Sequence, residues 1–375
     1  MQKVKSFPKP TADFENSTLI SVLRDIAQNV QIKSDFCIEH PEYKPFKLPF
    51  EIVERLQQLP IETRNRYLNQ QLQSFLYGIY YNGSLIEELL FDGNTDTSIS
   101  KRDLENNTFS GIDPEFYQQL HTSNNGKGYF DWGWQVLGFE DRDGSLIVTK
   151  NGLALHIKID SSDKERFTQL IGKGSIYIRL PKNKIQNGFY VAVGNAGLHS
   201  SNNQNGSQNI VRIYFNLTNQ SAPKIVNRLT KQLNKTSIPF SFKTLYNPSD
   251  YSKRCDCAVL YFDKENYDVI KQALKSIYSE HQACFQNRVP LFTKMLAPGL
   301  ALAEEPNLKF SERESFGQNR CHIVAKSLLE AKQKEINNLE ERVATIIKNF
   351  SSLEIDIQHP YLNANSENIY TPLNL

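Results

Sequence analysis

Arg212, Lys243, Arg254, Arg313 and Arg320 are interleaved along the chain with Tyr214, Tyr246, Tyr251 and Tyr261, a mixture of cations and phenols that can hold a phosphate. Guanidinium forks pair with phosphate oxygens two at a time, and phenols add hydrogen bonds. Lys243 stands apart because it ends the otherwise apolar run FSFK (240–243). Desolvation and neighbouring cations both disfavour its charged form, so its pKa falls and it becomes a usable base near neutral pH. Taken singly, each cation reads first as a solvated strand residue or one that snorkels to the rim. Their grouping around one sheet is what carries the phosphate reading.

Other chemistries fail on spacing. The histidines at 40, 121, 156, 199, 281, 322 and 359 are scattered, with no H-E-x-x-H pair and no metal constellation. Gly172-Lys173-Gly174-Ser175 lacks the G-x-x-x-x-G-K-[ST] spacing of a phosphate loop, and no G-x-S-x-G elbow occurs. The cysteines are Cys37, Cys255, Cys257, Cys284 and Cys321. An odd set without a C-x-x-C pair reads as reduced, mostly buried thiols of a cytoplasmic protein.

The elements that must position the cations run in the order strand 210–217, helix 220–234, strand 238–245, strand 257–263 and helix 264–280. Arg212 and Tyr214 share one face of the first strand, because strand side chains alternate with period two. Upstream, strands at 134–139, 145–149, 153–159, 175–180 and 189–193 are punctuated by the turns Asp143-Gly144, Asn151-Gly152 and Asn187-Gly188. The Gly-, Asn- and Ser-rich stretch 195–209 reads as a mobile loop, either closing over a bound peptide or simply joining two strands. The first third reads as helical, with helices at 18–30, 50–59 and 61–81, an exposed loop at 92–107 and a short helix from Asp113-Pro114. Residues 317–350 read as one long charged helix. The fold class is α+β: a helical N-terminal part (1–127), a largely antiparallel sheet domain with flanking helices (128–350) and a C-terminal tail (351–375).

With 375 residues and 39% hydrophobic content, the chain can bury a substantial core. A net charge of +2 and a pI near 8.1 are too mild for general binding to nucleic acid or a membrane surface. No segment approaches the roughly 18 consecutive apolar residues of a membrane span, and the N-terminus lacks the apolar stretch of a signal peptide. The expectation is a soluble, cytoplasmic protein whose basic groups matter as a local cluster.

Several segments resemble the HopA-type effector family: LPKNKIQNGFYVAVGNAG (180–197), VRIYFNLTNQSAP (211–223), CAVLYFDKENY (257–267), PLFTKMLAPGLALAEEP (290–306) and SFGQNRCHIVAKSLLEA (315–331). The resemblance covers about 128–332. It implies kinship with proteins that occur beside small kinase-like partners in ribosomal-peptide pathways for class V lanthipeptides and thioamitides, and that look like lyases eliminating phosphate from phosphoserine or phosphothreonine. A more distant similarity to the OspF/SpvC phosphothreonine lyases lies in the order Val211-Arg212-Ile213-Tyr214, Ala222-Pro223, Phe242-Lys243 and Leu260-Tyr261. That similarity implies Lys243 as base and Arg212 and Tyr261 as phosphate ligands, with Arg320 a later arginine clamp. Tyr214 stands where those lyases place a catalytic histidine. The general acid is therefore Tyr214 itself, His156 on the preceding sheet, or His322 beside Arg320.

The resemblance thus implies β-elimination from a phosphorylated precursor peptide or protein, with no metal or organic cofactor. A non-catalytic phosphopeptide-binding module would use the same arginines without needing a depressed lysine pKa. An effector-like toxin would share the fold and act on a different substrate.

Overall fold

The computed structural model describes residues 12–33, 36–90, 112–198 and 210–374. From the N-terminus, α1 (Ala12–Asn29) leads into a small antiparallel sheet of β1 (Gln31–Ile32), β2 (Cys37–His40) and β3 (Tyr43–Lys47). α2 (Phe50–Gln57) and α3 (Ile61–Leu76) each follow a proline, Pro49 and Pro60, which fixes the chain extended before the first turn. α3 runs directly into a π-helical turn, Tyr77–Tyr81. Next come α4 (Ile86–Leu89) and α5 (Pro114–Ser123). The α5 N-terminus is capped by the Asp113 carboxylate, which accepts from the Phe116 amide at 2.8 Å.

β4 (Tyr129–Phe139), β5 (Leu146–Lys150), β6 (Leu153–Ile157) and β7 (Ser175–Leu180) make a four-stranded antiparallel sheet in the order β6–β5–β4–β7, with α6 (Lys164–Thr168) between the last two strands in sequence. It has its own small core of Trp134, Val136, Leu146, Val148 and Ile178. The rest of the chain supplies β8 (Asn183–Gln186), β9 (Phe189–Val193), β10 (Ile210–Phe215), α7 (Ala222–Leu233), β11 (Ser241–Leu245), β12 (Ala258–Asp263), α8 (Tyr267–His281), β13 (Lys294–Ala297) and β14 (Leu300–Glu304), then α9 (Phe316–Gln333) and α10 (Leu339–Ser351). Its strands form a seven-stranded sheet, β13–β14–β10–β12–β11–β9–β8, antiparallel at every pairing. The architecture is α+β, as the sequence pattern implies.

Both faces of the seven-stranded sheet are covered. The side of Phe215, Phe242 and Tyr190 packs under α5, α7 and α8: Phe215 meets Phe242 and Phe285, Phe285 meets Tyr278, and the Tyr190 hydroxyl takes a hydrogen bond from Asn124. α7 suits this place because Ala222, Ile225, Val226, Leu229 and Leu233 recur at helical spacing and are all buried. The other side carries Arg212, Tyr214, Tyr261 and Lys243, and it is roofed by the π turn and the start of α9. One core extends from Leu19 in α1 through this sheet to Leu373 in the C-terminal segment.

Several elements differ from the sequence pattern. The first third is not wholly helical, because β1–β3 interrupt it; these strands are too short for a period to show, and Pro45 sits in the edge strand β3, where a missing N–H is tolerated. The long helix expected at 317–350 is two. α9 stops at Gln333, Glu335 adopts φ 55°, and the Asn338 side chain caps α10 by accepting from the Glu341 amide. β13 and β14 escape the pattern because their residues are apolar on both faces; Pro298-Gly299, with Gly299 at φ 74°, turns one into the other. The loop expected at 92–107 lies outside the described residues, as does all of 195–209 beyond Leu198.

Candidate functional site

Strand pairing brings the predicted side chains onto one face. Arg212 on β10 lies directly across from Tyr261 on β12, and Tyr214 lies across from Val259. Lys243 on β11 also pairs with Val259, so it shares that face one strand further on. On its other side Lys243 pairs with Val191 of β9, and its Nζ sits 3.9 Å from the centre of the Phe189 ring. Arg254, on the turn before β12, places its guanidinium over the same ring at 5.7 Å. Arg212 lies over the Tyr261 ring at 5.1 Å. Phe189 and Tyr261 are thus cation platforms that draw the basic groups together.

The carboxylates are distributed unevenly among these cations. Arg212, 8% exposed, donates from Nε and Nη2 to Glu305 Oε2, and Glu305 Oε1 accepts from Lys309 at 2.5 Å. Arg254 donates from Nε and Nη2 to the two oxygens of Asp256 at 2.6 and 2.8 Å. Asp256 also accepts from Asn82 at 3.3 Å and from the Tyr77 hydroxyl at 3.4 Å. Lys243 forms no ion pair among the described residues. Burial first, then Arg212 and Arg254, pull its pKa down from 10.5 to about 8, with Asp256 and Glu305 opposing. The cations Arg212, Lys243, Arg254 and Lys309 outnumber Glu305 and Asp256, so the cluster favours an anion. Each arginine keeps its Nη1 edge outside its carboxylate pairing.

Tyr214 is 2% exposed, and its buried hydroxyl has no hydrogen-bond partner among the described residues. Burial pushes its pKa up, while the Arg212 guanidinium and the Tyr81 hydroxyl act in the opposite direction. Its ring packs 6.5 Å from Phe316 at the start of α9. Lys243, Arg254, Tyr261 and Phe189 are partly exposed, whereas Arg212, Tyr214 and Tyr81 are buried.

Other candidates fall elsewhere. His156 is exposed on β6 of the four-stranded sheet, with Glu140 3.4 Å from its Nδ1. His322, on α9, stacks on Phe310 at 4.1 Å. Burial lowers its pKa. Neither histidine is gathered with Lys243. Arg313 is exposed on the turn before α9. Arg320, 1% exposed, is committed to the C-terminal segment. It donates from Nε to the Pro360 carbonyl at 2.8 Å, from Nη2 to the Leu362 carbonyl at 2.9 Å and from Nη1 to Asn319 Oδ1 at 2.6 Å. These bonds make it a structural clamp rather than a phosphate ligand. Tyr246 and Tyr251 are likewise occupied: Tyr246 accepts from the Gly188 amide, and Tyr251 bonds Thr244 and the Leu245 carbonyl.

Sequence reasoning missed Tyr77, Tyr81, Phe189, Asp256, Glu305 and Lys309. The acidic pair in LALAEEP and the tyrosines of YGIYY carry the only local signal of the group. Among the described residues, no cluster of His, Cys, Asp and Glu is arranged to hold a metal ion.

A sequence model of the HopA1 effector protein family matches residues 180–362, the stretch that runs from β8 to the segment held by Arg320. Over that stretch, just under half of the chain, the sequence is similar to the HopA1 effector protein family. All the basic and phenolic groups of the pocket except Tyr77 and Tyr81 belong to this HopA1-type stretch. Two solved structures are similar to the chain. An effector protein from Pseudomonas syringae pv. tomato strain DC3000 shares 18% identity over 67% of this chain and 81% of its own, with a TM-score of 0.39. An effector protein from Pseudomonas syringae pv. syringae strain 61 shares 15% identity over 80% of this chain and 98% of its own, with a TM-score of 0.41. No curated protein matches the chain. Among the described residues no helix is long and apolar enough to cross a membrane.

Proposed function

We propose that the HopA1-type domain is a phosphoserine/phosphothreonine lyase acting on a phosphorylated peptide, in ribosomal-peptide modification alongside a kinase-like partner that installs the phosphate. The observation that carries this reading is Lys243: a half-shielded amine with no carboxylate of its own, held between two arginines with its pKa drawn to about 8. A module that only bound phosphate would gain nothing from a lysine set up to lose its charge.

In the proposed reaction the neutral Lys243 amine takes the Cα proton of the phosphorylated residue. The electron pair forms the Cα–Cβ double bond, and the Cβ–O bond breaks. The phosphate leaves against the Nη1 edges of Arg212 and Arg254 and the Tyr261 phenol, and Tyr214 supplies its proton. Arg212 and Arg254 are already fixed by Glu305 and Asp256, so they need little reorganisation as charge develops on the leaving group.

Mass spectrometry after incubation with a phosphothreonine peptide tests the proposal. Elimination yields a dehydrated, alkene-containing peptide. Hydrolysis to threonine would replace the lyase reading with a phosphatase, and an unchanged peptide that co-elutes with the protein would replace it with a binding module.

A further inference from the structure

The matched family stretch does not by itself fix all of its cations. Arg254 sits outside any strand, on the turn before β12, so no ladder holds its backbone. What holds it comes from the N-terminal region, on the π turn that ends α3. The Asn82 amide closes that turn by donating to the Tyr77 carbonyl at 3.0 Å. In an α-helix, residues five apart point about 140° away from each other. The wider π turn brings them closer to one face, and here both side chains reach Asp256. The Tyr77 hydroxyl donates to Asp256 Oδ2 at 3.4 Å, and the Asn82 side-chain amide donates to Oδ1 at 3.3 Å. Backbone contacts run beside them: the Asn82 carbonyl accepts from the Cys255 amide at 2.9 Å, and the Tyr81 carbonyl accepts from the Cys255 thiol at 3.7 Å.

An ionised carboxylate offers about four lone-pair sites. At Asp256, which is buried, Arg254 takes one place on each oxygen with Nε and Nη2, and Asn82 and Tyr77 take a further place on each. The carboxylate is therefore held from both sides, and the planar guanidinium bonded to it edge-on is held in its plane. Asn82 is itself buried, and its side-chain oxygen accepts from the Ser84 amide at 3.0 Å, which fixes the orientation of its donor. Both outer donors are neutral, so they steady Asp256 without changing the excess of cations around Lys243.

We propose that Asn82 is a positioning residue for anion binding at this site: through Asp256 it sets the Arg254 guanidinium so that its Nη1 edge meets the leaving phosphate, which makes the N-terminal region part of the phosphate site. The inference rests on the lyase reading, in which Arg254 takes that phosphate. An arginine on a turn without such a hold would have to be ordered by each phosphate it bound, at a cost in side-chain entropy.

The test is a double-mutant cycle of Asn82→Ala with Arg254→Met, read as the calorimetric Kd for inorganic phosphate and, in the active proteins, as KM for the phosphothreonine peptide. Asn82→Ala is expected to raise Kd and KM together, about tenfold, as loss of a hydrogen bond to a charged group would. In the Arg254→Met background it should add nothing, because Asn82 acts through Arg254. Lost folding alone would lower the stoichiometry of binding while leaving Kd in place. Tyr77→Phe, which removes only the hydroxyl, should raise Kd in the same direction and carries the test if Asn82→Ala does not fold. Tyr80→Phe is the control on the same turn; its hydroxyl bonds Asp25 at 2.7 Å and His40 at 2.9 Å, neither of them in the cation cluster. It should lower thermal stability and leave Kd unchanged. In an active wild-type protein, an unchanged Kd in Asn82→Ala and Tyr77→Phe, or a rise as large without Arg254 as with it, overturns the role of Asn82 alone. A wild-type protein that eliminates nothing overturns the lyase reading and this inference together.

Discussion

Lys243→Met is expected to abolish phosphate elimination, by at least about a hundredfold, and at the same time to make the protein more stable. The two effects have one cause. Below pH 8 the folded protein holds a protonated lysine in a site that disfavours its charge, between Arg212 and Arg254. The unfolded chain holds the same proton at no such cost. A drop from 10.5 to about 8 corresponds to roughly 3 kcal/mol of stability lost at neutral pH. A methionine of similar length removes that penalty and packs on Phe189. The gain over wild type should be full below pH 8 and shrink as the folded-state lysine loses its proton. It should vanish above pH 10.5, where both states are neutral. Denaturant unfolding of the two proteins at pH 7 and pH 10 reads it directly, and equal gains at both pH values would contradict it. Lys243→Arg should be equally inactive in elimination, since a guanidinium is effectively never deprotonated.

Arg320→Ala should be among the most damaging single changes in the chain, at about 3–5 kcal/mol. Its guanidinium is nearly inaccessible and spans two backbone carbonyls forty or more residues away, with Asn319 taking a third bond and the Phe316 ring lying 4.9 Å below. Removing it leaves the carbonyls of Pro360 and Leu362 buried without their donor and opens a cavity the size of the side chain. The neighbouring Glu304 depends on the same segment, accepting from the Asn363 amide, Ser366, Tyr370 and Lys264. Arg320→Lys should rescue little, because one ammonium cannot reach three acceptors fixed around a planar fork. Urea unfolding measures the loss, and limited proteolysis should cut residues 355–374 first. A stable Arg320→Ala protein with only a raised KM for phosphopeptide would return Arg320 to the phosphate-binding set.

The contrast between Lys243 and Arg320 shows what the chain makes legible. Strand alternation places Arg212 with Tyr214, whereas Lys243 and Tyr261 join them in the sequence only through the resemblance to the phosphothreonine lyases; the antiparallel order β10–β12–β11 is what keeps all four on one face. Arg320 could not be placed, since its partners are carbonyls of a segment without regular structure, and backbone acceptors leave no trace in residue type. The same holds for Glu305 and Asp256, whose arginines are defined only once β14 and the turn before β12 are folded against β10. Tyr81 was hidden differently: helical periodicity runs smoothly through 61–81, and the extra residue of the π turn has no signature in composition. The histidines 156 and 322 had the right chemistry for a general acid, but one belongs to the four-stranded sheet and the other faces Phe310.

A phosphothreonine peptide deuterated at Cα tests the central claim most directly, with phosphate release and label followed together by mass spectrometry across pH 6 to 9. Removal of the Cα proton by Lys243 predicts that every dehydrated product has lost its deuterium, that the label slows the reaction, and that the rate climbs with pH until Lys243 is neutral, levelling off above about pH 8. Phosphate released with the deuterium retained would contradict it, and so would a rate indifferent to both label and pH.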